Sequence, residues 1–376
     1  MNLQSLISGA AWMLCRLLPV QKNKVVISHF YGRGFGDSPK AIALALKEAN
    51  PSLQIYWLLT DLNQPLPDGI HPASYKPLSR IYHLSTAKVW VDDCRKGARF
   101  KKKDQIYLQT WHGFALKRIE RDASNTLPAY YPAYAQRDAD QTDVMISGSR
   151  FMTHCYQTSF WYHGQVEEFG SPRNDLLFHP PTQLRQQVCS ALGVDPGKKL
   201  VLYAPTFRAN GSLAPYSLDI PQVLSAFHQR FGGSHCMLLR LHPNLDAKSD
   251  ALACDGITTF NATRYPDIQE LLAVADAVIT DYSSLMFDFA LTGRPCFQFA
   301  TDIDAYRLDR SFNFSLDDLP FPLAENNVQL CQFISSYDPD AAQKSWQAFV
   351  QKNGICDDGQ ATQRCVKWIL EHMNPS

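Results

Sequence analysis

The sequence lacks a net charge, and it has few charged residues of either sign. Its 36 lysines and arginines balance 36 aspartates and glutamates, and charged residues make up 19% of the 376 positions while hydrophobic residues make up 45%. This balance excludes an intrinsically disordered chain, which combines low hydrophobicity with high net charge. It also disfavours a chain that binds nucleic acid over its whole surface. Because the usual charged fraction is ~25%, part of the surface is expected to face something other than bulk water.

Paired cysteines and a secretory signal are also missing. None of the 10 cysteines forms a C-x-x-C pair, so neither a zinc ribbon nor a thioredoxin motif is present. Scattered cysteines are typical of reduced, mostly buried thiols in a cytosolic protein. No basic residue precedes the first apolar stretch, and we therefore expect no signal peptide.

Residues 1–24 carry an amphipathic pattern that predicts an N-terminal helix. The apolar residues at three- and four-residue spacing form one face, and Trp12 lies with the polar residues on the other; the apolar face comprises Leu3, Leu6, Ile7, Ala10, Met13, Leu14, Leu17 and Leu18. Two interpretations remain open. The helix packs on its own domain, or it lies in the plane of a membrane with Trp12 and nearby basic residues at the surface. A membrane-spanning helix is disfavoured because the run is short and interrupted.

Short apolar runs separated by helical stretches predict an α/β protein. The pattern favours two Rossmann-like domains facing a cleft, the architecture called GT-B-like, over residues 25–180 and 195–358. A C-terminal helix over 359–376 is expected to cross back to the first domain. The predicted strands cover residues 25–28, 54–59, 88–91, 105–109, 144–147, 199–203, 236–241, 277–280 and 296–299.

A glycine-rich segment follows the first predicted strand. Residues 32–38 read GRGFGDS, which does not match the G-x-G-x-x-G spacing of dinucleotide-binding loops. We therefore expect no cofactor of that kind.

Polar residues that suit phosphate chemistry follow the predicted strands of both halves. Ligands of parallel sheets bind beyond the carboxyl ends of the strands. Histidine is suited to general base catalysis near neutral pH, and hydroxyls and guanidinium groups bind anions. The candidates at these ends are His29, His112, Gly113, Thr206, Arg208, Arg240, His242, Ser283 and Ser284. Few carboxylates accompany them, so we expect no metal site.

Six basic residues between positions 95 and 103 precede the strand at 105–109. They either form a solvated loop or contact anionic lipid headgroups or a phosphorylated acceptor, each charge near an anionic surface contributing about 1 kcal/mol. The cluster comprises Arg95, Lys96, Arg99, Lys101, Lys102 and Lys103.

Several of these segments together resemble the CDP-glycerol glycerophosphotransferase family, the teichoic-acid primases and polymerases with relatives in capsule synthesis. The resemblance spans about residues 25–366. It is carried by TWHG (110–113), GSPRND (170–175), APTFR (204–208), RLHPN (240–244), TDYSSLMFD (280–288), GRP (293–295) and DDGQATQR (357–364). Phe114 and Ala115 follow His112 and Gly113, where the family often has Thr-Pro.

The resemblance implies metal-independent transfer of glycerol phosphate, or a related polyol phosphate, from CDP-glycerol or CDP-ribitol to an acceptor hydroxyl, with release of CMP. It implies that His112 is the general base and that His242 lies near the donor pyrophosphate. Pyrophosphate binding is expected from Ser283, Ser284, Thr206, Arg208, Arg240 and Arg364. On the acceptor side we expect His29, Gly113 and Asp122.

Family members are peripheral membrane proteins with lipid-linked acceptors. The resemblance therefore implies a lipid-linked or polymer acceptor, an anionic membrane surface as a partner, and the cytoplasmic face of a bacterial membrane as the location, in surface-polymer synthesis. Two other functions stay open from the residues alone. One is a GT-B glycosyltransferase that uses a nucleotide sugar, and the other is a non-catalytic nucleotide-binding scaffold.

Overall fold

The computed structural model describes residues 3–208, 214–241, 255–309 and 311–373. Side chains are described for all of these residues except 3–6, 124, 214 and 307–309, and His242 lies outside the described residues. The chain divides into two compact units. Unit 1 comprises Met1–His112, Ile119–Asp175 and Gly354–Ser376, and unit 2 comprises Gly113–Arg118 and Leu176–Asn353.

Helices and strands alternate along most of the chain. The described helices are α1 (Leu3–Cys15), α2 (Asp37–Ala49), α3 (Pro77–Thr86), α4 (Tyr131–Gln141), α5 (Arg150–Ser159), α6 (Asp175–Phe178), α7 (Leu184–Leu192), α8 (Ile220–Phe231), α9 (Ile268–Val274), α10 (Leu285–Ala290), α11 (Ile303–Asp309), α12 (Asn327–Ser335), α13 (Pro339–Asn353) and α14 (Ala361–Met373). The described strands are β1 (Gln21–Ser28), β2 (Gln54–Leu59), β3 (Ile70–Ser74), β4 (Ala87–Asp92), β5 (Ile106–Gln109), β6 (Val144–Ile146), β7 (Gln165–Glu167), β8 (Lys199–Ala204), β9 (His235–Leu239), β10 (Thr259–Asn261), β11 (Ala277–Thr280), β12 (Cys296–Phe299) and β13 (Leu323–Ala324).

Unit 1 is built on a seven-stranded parallel sheet in the order β3-β2-β1-β4-β5-β6-β7. The order reverses between β1 and β4, which is the topological switch point of a doubly wound sheet. In register there, Ser28 pairs with Asp92 and Asp92 pairs with Gln109. The carboxyl ends of β1, β4 and β5 therefore meet at one edge.

Both faces of this sheet are covered, as the continuous apolar strands require. Alternate residues of a strand point to opposite faces. Val25 and Ile27 pack with α2 and α14 on one face, and Val26 packs with α3 and Trp12 of α1 on the other.

Helix α1 packs on unit 1 through a side that differs from the predicted apolar face. Trp12 is 5% exposed and stacks edge-on against Phe100. Leu14 and Leu17 are instead 69% and 83% exposed, and Met13 of the same face is also exposed. The large indole supplies the contact, so the aliphatic stripe remains on the surface. None of the described helices has the length and apolar character needed to cross a membrane.

The C-terminal segment belongs to unit 1. After Asn353 the chain returns from unit 2 to unit 1 beside α5, where the Arg150 main-chain amide donates to the Gly354 carbonyl at 3.1 Å. Helix α14 then buries Cys365, Trp368 and Ile369 against the sheet. Unit 1 is thus assembled from three separate stretches of sequence.

Unit 2 repeats the same strand order on a six-stranded parallel sheet, β10-β9-β8-β11-β12-β13. Its switch point lies between β8 and β11, where Ala204 pairs with Thr280. One face is filled by α8 and α12, which pack Phe227 and Leu330 into the core.

The chain passes from unit 1 to unit 2 after Asp175. Residues Leu176–Asn353 belong to unit 2, where Arg185 of α7 donates to the Val274 carbonyl at 2.8 Å and to the Asp276 carboxylate at 3.0 Å. Residues Gly113–Arg118 also belong to unit 2, where the Asn313 amide group donates to the Ala115 carbonyl at 2.9 Å.

The predicted α/β class with parallel sheets is confirmed. Each predicted strand overlaps an observed one. Four strands were not predicted, because their sequences are short or polar and give no continuous apolar run. All four are edge strands of the two sheets: β3, β7, β10 and β13.

The prediction of a solvated or lipid-contacting basic loop over residues 95–103 is wrong for its first two residues. The Arg95 and Lys96 side chains are 2% and 1% exposed. Arg95 pairs with Glu120 at 2.9 Å, and Lys96 pairs with Asp92 at 2.7 Å. Burial of a charge requires a partner, and unit 1 supplies carboxylates for both.

Candidate active site

Two histidines meet at the switch point of unit 1, and both are held by Asp93. His29 follows β1, Asp93 follows β4, and His112 follows β5. The His29 Nδ1 hydrogen-bonds the Asp93 carboxylate, and the His112 Nδ1 lies 2.6 Å from the Asp93 main-chain carbonyl oxygen. The sequence analysis named the two histidines and did not name the aspartate.

The hydrogen bond to Asp93 sets the tautomer of His112. A carbonyl oxygen only accepts, so Nδ1 carries the hydrogen and Nε2 of the neutral ring keeps a lone pair. Trp111 stacks on the ring with a centroid distance of 4.3 Å, and Phe30 approaches its edge at 6.2 Å. This is the arrangement that a general base needs, with Nδ1 fixed and Nε2 left to take the proton.

His29 is in a more strongly charged environment. Burial acts to lower the pKa of His29, but the hydrogen bond and charge of Asp93, with the charges of Asp37 and Asp92, outweigh it and raise that pKa above its ordinary value. The Asp93 carboxylate is itself fixed, because its other oxygen accepts the Phe30 amide at 2.9 Å. The protonated ring is therefore favoured at this position.

The neighbouring carboxylates each have a cationic partner. Asp92 pairs with Lys96, and Asp37 accepts Arg173 at 3.1 Å and the Ser38 amide at 2.6 Å. Burial acts to raise the pKa of Asp37, but the Arg173 guanidinium holds it below the ordinary range.

Backbone strain is concentrated around the same two histidines. Phe30, Tyr31, Asp37 and Trp111 have φ angles of 39°, 60°, 57° and 53°, which side-chain-bearing residues rarely adopt. Residues in such conformations cluster at functional sites, where the surrounding structure holds them in place.

The other two predicted acceptor-side residues lie apart from these hydrogen bonds. Gly113 has a φ of 145° and is grouped with unit 2. Asp122 lies in the 3₁₀ segment Glu120–Thr126, where its carboxylate accepts the Ser159 hydroxyl of α5 at 2.5 Å. This contact ties the Glu120–Thr126 segment to α5.

Asp281 organises the switch point of unit 2. Its Oδ1 accepts the Thr206 amide at 2.7 Å and the Tyr282 amide at 2.6 Å, which joins the ends of β8 and β11. The Thr206 hydroxyl oxygen is buried and has no hydrogen-bond partner in the described parts of the chain. An orphaned buried hydroxyl is costly unless a ligand satisfies it.

The two serines follow Asp281 at the start of α10. Ser283 Oγ is 3.4 Å from the Leu285 amide, whereas the Ser284 side chain makes no capping bond. The predicted helix start is therefore present.

Arg208 makes structural contacts that the sequence analysis did not predict. Its Nε donates to Asp302 at 2.7 Å, Nη1 donates to the Thr206 carbonyl at 2.5 Å, and Nη2 lies 2.9 Å from Asp281. The guanidinium also lies over the Tyr282 and Tyr306 rings at 4.9 and 5.0 Å. Its charge is already balanced by two carboxylates, so Arg208 supports the loop that presents Thr206.

Arg240 and Arg364 also make contacts within their own units. Arg240 Nη1 donates to the carbonyls of Ala262 and Tyr265 at 3.1 and 2.6 Å, and burial lowers its pKa. Arg364 Nη1 donates to Asp358 at 2.8 Å and to the Phe169 carbonyl at 2.9 Å.

Two carboxylates beside the histidines are not among the candidates that the sequence analysis named. Asp93 binds His29, and Asp37 binds Arg173. In unit 2, Asp302 binds Arg208. Asp93 follows the strand predicted over 88–91, so its position beyond a strand end was the available signal. Within the described ranges, no group of three or more His, Cys, Asp and Glu residues is arranged to hold a metal ion.

The comparison with known families decides the assignment. Residues 10–371 match the family described as CDP-Glycerol:Poly(glycerophosphate) glycerophosphotransferase. The chain belongs to this family.

Relatives in this glycerophosphotransferase family come from several bacteria. The teichoic acid poly(glycerol phosphate) polymerase of Bacillus subtilis is 29% identical over 96% of this chain and 50% of its own length. The corresponding polymerase of Staphylococcus epidermidis is 30% identical over 92% of this chain and 50% of its own length. The chain thus spans about half the length of these polymerases. The teichoic acid glycerol-phosphate transferase of Staphylococcus aureus is 29% identical over 93% of both chains.

Solved structures of the family support the fold. A structure of the wall teichoic acid polymerase TagF superposes with a TM-score of 0.85 at 27% identity, covering 98% of this chain and 97% of that one. A TagF variant soaked with CDPG gives 0.84 at 27% identity, covering 97% and 93%.

Proposed function

We propose that this chain transfers glycerol phosphate, or a related polyol phosphate, from a CDP-activated donor to a hydroxyl of a lipid-linked or glycan acceptor. CMP is released, and the product extends a bacterial surface polymer. The observation that carries the proposal is the fixed tautomer of His112, whose Nδ1 is bound to the Asp93 carbonyl at 2.6 Å. The reaction type is supported by membership of the family. It is also supported by the similarity to the Staphylococcus aureus transferase along 93% of both chains.

The proposed reaction is a single displacement at the β-phosphorus of the donor. The acceptor oxygen forms a bond to this phosphorus while the bond to the oxygen bridging the α-phosphorus breaks, and CMP leaves with that oxygen. His112 Nε2 takes the proton of the attacking hydroxyl. Phosphoryl transfer depends mainly on positioning and on stabilisation of the developing charge.

Charge stabilisation is assigned to the residues after β8 and β11. The buried Thr206 hydroxyl, which has no partner among the described residues, and the hydroxyls of Ser283 and Ser284 are the proposed contacts to the donor pyrophosphate. His242 keeps the role implied by the family, although it lies outside the described residues. Arg208 acts indirectly, by fixing the Thr206 loop. Arg240 and Arg364 remain proposed donor contacts through the nitrogens that their main-chain and Asp358 bonds do not use.

The test is CMP release from CDP-glycerol and CDP-ribitol by the purified chain, with a lipid-linked acceptor and product masses determined by mass spectrometry. His112→Gln is expected to lower kcat by about 10²–10⁴-fold, the usual contribution of a general base. The exposed His163→Gln is the matched control and is expected to keep full activity. Full activity of His112→Gln removes the proposed base, and turnover only with UDP- or GDP-sugars replaces the proposal with a glycosyltransferase.

We also propose that the protein associates peripherally with the cytoplasmic face of the cell membrane. The support is the exposed aliphatic stripe at the N-terminus, where Leu14 of α1 and Leu17, just after the helix, are 69% and 83% exposed. Arg99 and Lys103 are exposed basic residues of the 95–103 segment and are suited to anionic headgroups.

A further inference from the structure

His29 is the second imidazole at this site, and only one of its two ring nitrogens forms a hydrogen bond within the described residues. Nδ1 is bound by Asp93, while Nε2 has no hydrogen-bond partner among the residues that the structure describes. The side chain is 21% exposed, so this nitrogen is reachable from solvent. Gly34 and Gly36 lie beside the ring there, since a Cβ added at these glycines would lie 3.8 and 3.5 Å from it.

Three carboxylates act on His29 from neighbouring elements. Asp92 is the last residue of β4, Asp93 follows it, and Asp37 is the first residue of α2. His112 follows β5 and reaches the same Asp93.

The charges of this cluster balance in pairs. Lys96 balances Asp92, Arg173 balances Asp37, and a protonated His29 balances Asp93. With Asp93 ionised, the cluster is neutral only while the imidazole carries its proton. In that state Nε2–H is a charge-assisted donor, of the kind that forms short hydrogen bonds to phosphate oxygens.

We infer that His29 binds the phosphate group nearest the attacking hydroxyl of the acceptor, and that Asp93 is the positioning residue that aligns His29 with His112. The inference rests on the proposed function and extends it to the class of acceptor, one with an anionic phosphate beside its reacting end. Asp93 holds both rings, and the inference therefore assigns the bound phosphate and the hydroxyl facing His112 to the same molecule. The donor contacts, by comparison, are proposed for residues after β8 and β11 of unit 2.

A binding experiment tests this inference without requiring turnover. The full-length chain is titrated with sn-glycerol 3-phosphate by calorimetry, in the wild type, His29→Gln and the exposed-site control His163→Gln. We expect His29→Gln to weaken binding at least about tenfold, as loss of a charge-assisted bond does, while the control matches the wild type. Equal affinity in all three proteins overturns the inference, and so does displacement of the bound glycerol 3-phosphate by CDP-glycerol, which would assign it to the donor site.

The pH dependence of binding separates positioning by Asp93 from a merely structural role. His29 has a raised pKa, so its proton persists at higher pH, and affinity for glycerol 3-phosphate is expected to fall as pH rises through that value. Asp93→Asn keeps an acceptor for the Phe30 amide but removes the charge, so the fall is expected at lower pH. An unchanged profile in a folded Asp93→Asn protein contradicts the inference. Should that variant unfold, ¹⁵N imidazole NMR of the wild type measures the same titration, and an ordinary or lowered His29 pKa contradicts it.

Steady-state kinetics distinguish failure of the inference from failure of the proposed function. With an acceptor that ends in glycerol phosphate, His29→Gln is expected to raise KM for the acceptor about tenfold and leave KM for CDP-glycerol unchanged. If the wild type releases no CMP, the proposed function fails, and the binding experiment still decides the inference. If the wild type is active and His29→Gln has an unchanged acceptor KM, only the inference fails.

Discussion

At the scale of the residue, Arg208 illustrates how a charged side chain becomes part of a core. Its guanidinium is 6% exposed, lies against tyrosine rings, and donates to Asp302 and the Thr206 carbonyl. Removing one partner of such a cluster leaves the other charges buried without compensation. We therefore expect Arg208 to affect catalysis through the conformation of the loop that carries Thr206.

We predict that Arg208→Ala destabilises unit 2 by about 3–5 kcal/mol, because Asp281 and Asp302 lose their shared partner. Arg208→Lys restores one charge without the bidentate geometry and is expected to recover only part of this loss. Urea unfolding of both variants measures the effect. The exposed Lys344→Ala of α13 is the control, and a change under 1 kcal/mol for Arg208→Ala would contradict the assigned role.

A second residue-scale feature is His83 of α3, which packs beside Tyr56 and has no partner for Nδ1 in the described structure. Burial, with a smaller contribution from Lys24, lowers the pKa of His83 to about 4. The folded state therefore takes up its proton less readily than the unfolded state, whose histidine titrates near 6.5. Stability is lost as pH falls through the window between these two values.

We predict that His83→Phe removes part of the acid sensitivity of unit 1. The wild type should lose about 1 kcal/mol more than the variant when the pH falls from about 7 to about 5, a value discounted for the partial exposure of the ring. Urea unfolding at both pH values measures the difference. The exposed His71→Phe on β3 is expected to behave like the wild type, and equal pH dependence of all three proteins would refute the prediction.

At the scale of the element, α1 has one apolar side that is buried and one that is exposed. Trp12 is buried against the sheet, whereas Leu14 and, just after the helix, Leu17 are exposed. Periodicity identified the aliphatic stripe, but it assigned Trp12 to the polar side. The spacing of apolar residues in one helix does not determine which of its apolar side chains become buried. Burial depends on the shape of the surface on which the helix packs.

We predict that replacing both Leu14 and Leu17 by Glu releases the protein from vesicles of anionic phospholipid without lowering its melting temperature. The stripe contributes apolar area to a lipid interface and none to the core of unit 1. Flotation with phosphatidylglycerol vesicles measures binding. Leu44→Glu, at an exposed position of α2 on the opposite face of the sheet, is the control. Equal flotation of the double variant and the wild type would show that α1 does not bind lipid.

At the scale of the whole molecule, unit 1 is completed by a segment far away in sequence. Helix α14 places Ile369 in the same core as Ile42 of α2, and both are fully buried. Unit 2 has its own core around Ile279. Two separate cores allow two unfolding transitions, since each unit contains its own cooperative packing.

We predict that Ile369→Ala and Ile42→Ala lower the same unfolding transition, by about 2–5 kcal/mol each, although 327 positions separate them in the chain (369 minus 42). Ile279→Ala is expected to lower the other transition. Scanning calorimetry of the three variants tests this. A single transition that all three variants lower equally would show that the units unfold together.

Much of the site was predictable from strand ends alone. His29, His112, Thr206, Ser283 and Ser284 follow strands that the sequence predicts, and those ends meet at the two switch points because parallel strands align their carboxyl ends. The partners of Arg208 were not predictable, since these carboxylates lie 73 and 94 positions away.

The sequence by itself determined the fold class, most strands and the family, because apolar runs and the motifs at strand ends are local properties. Only the tertiary structure decided the roles of Asp93, Arg208 and the exposed side of α1. The reason is physical: hydrogen bonding and burial join groups such as His29 and Asp93, 64 positions apart, and the register of neighbouring strands decides which side chains meet.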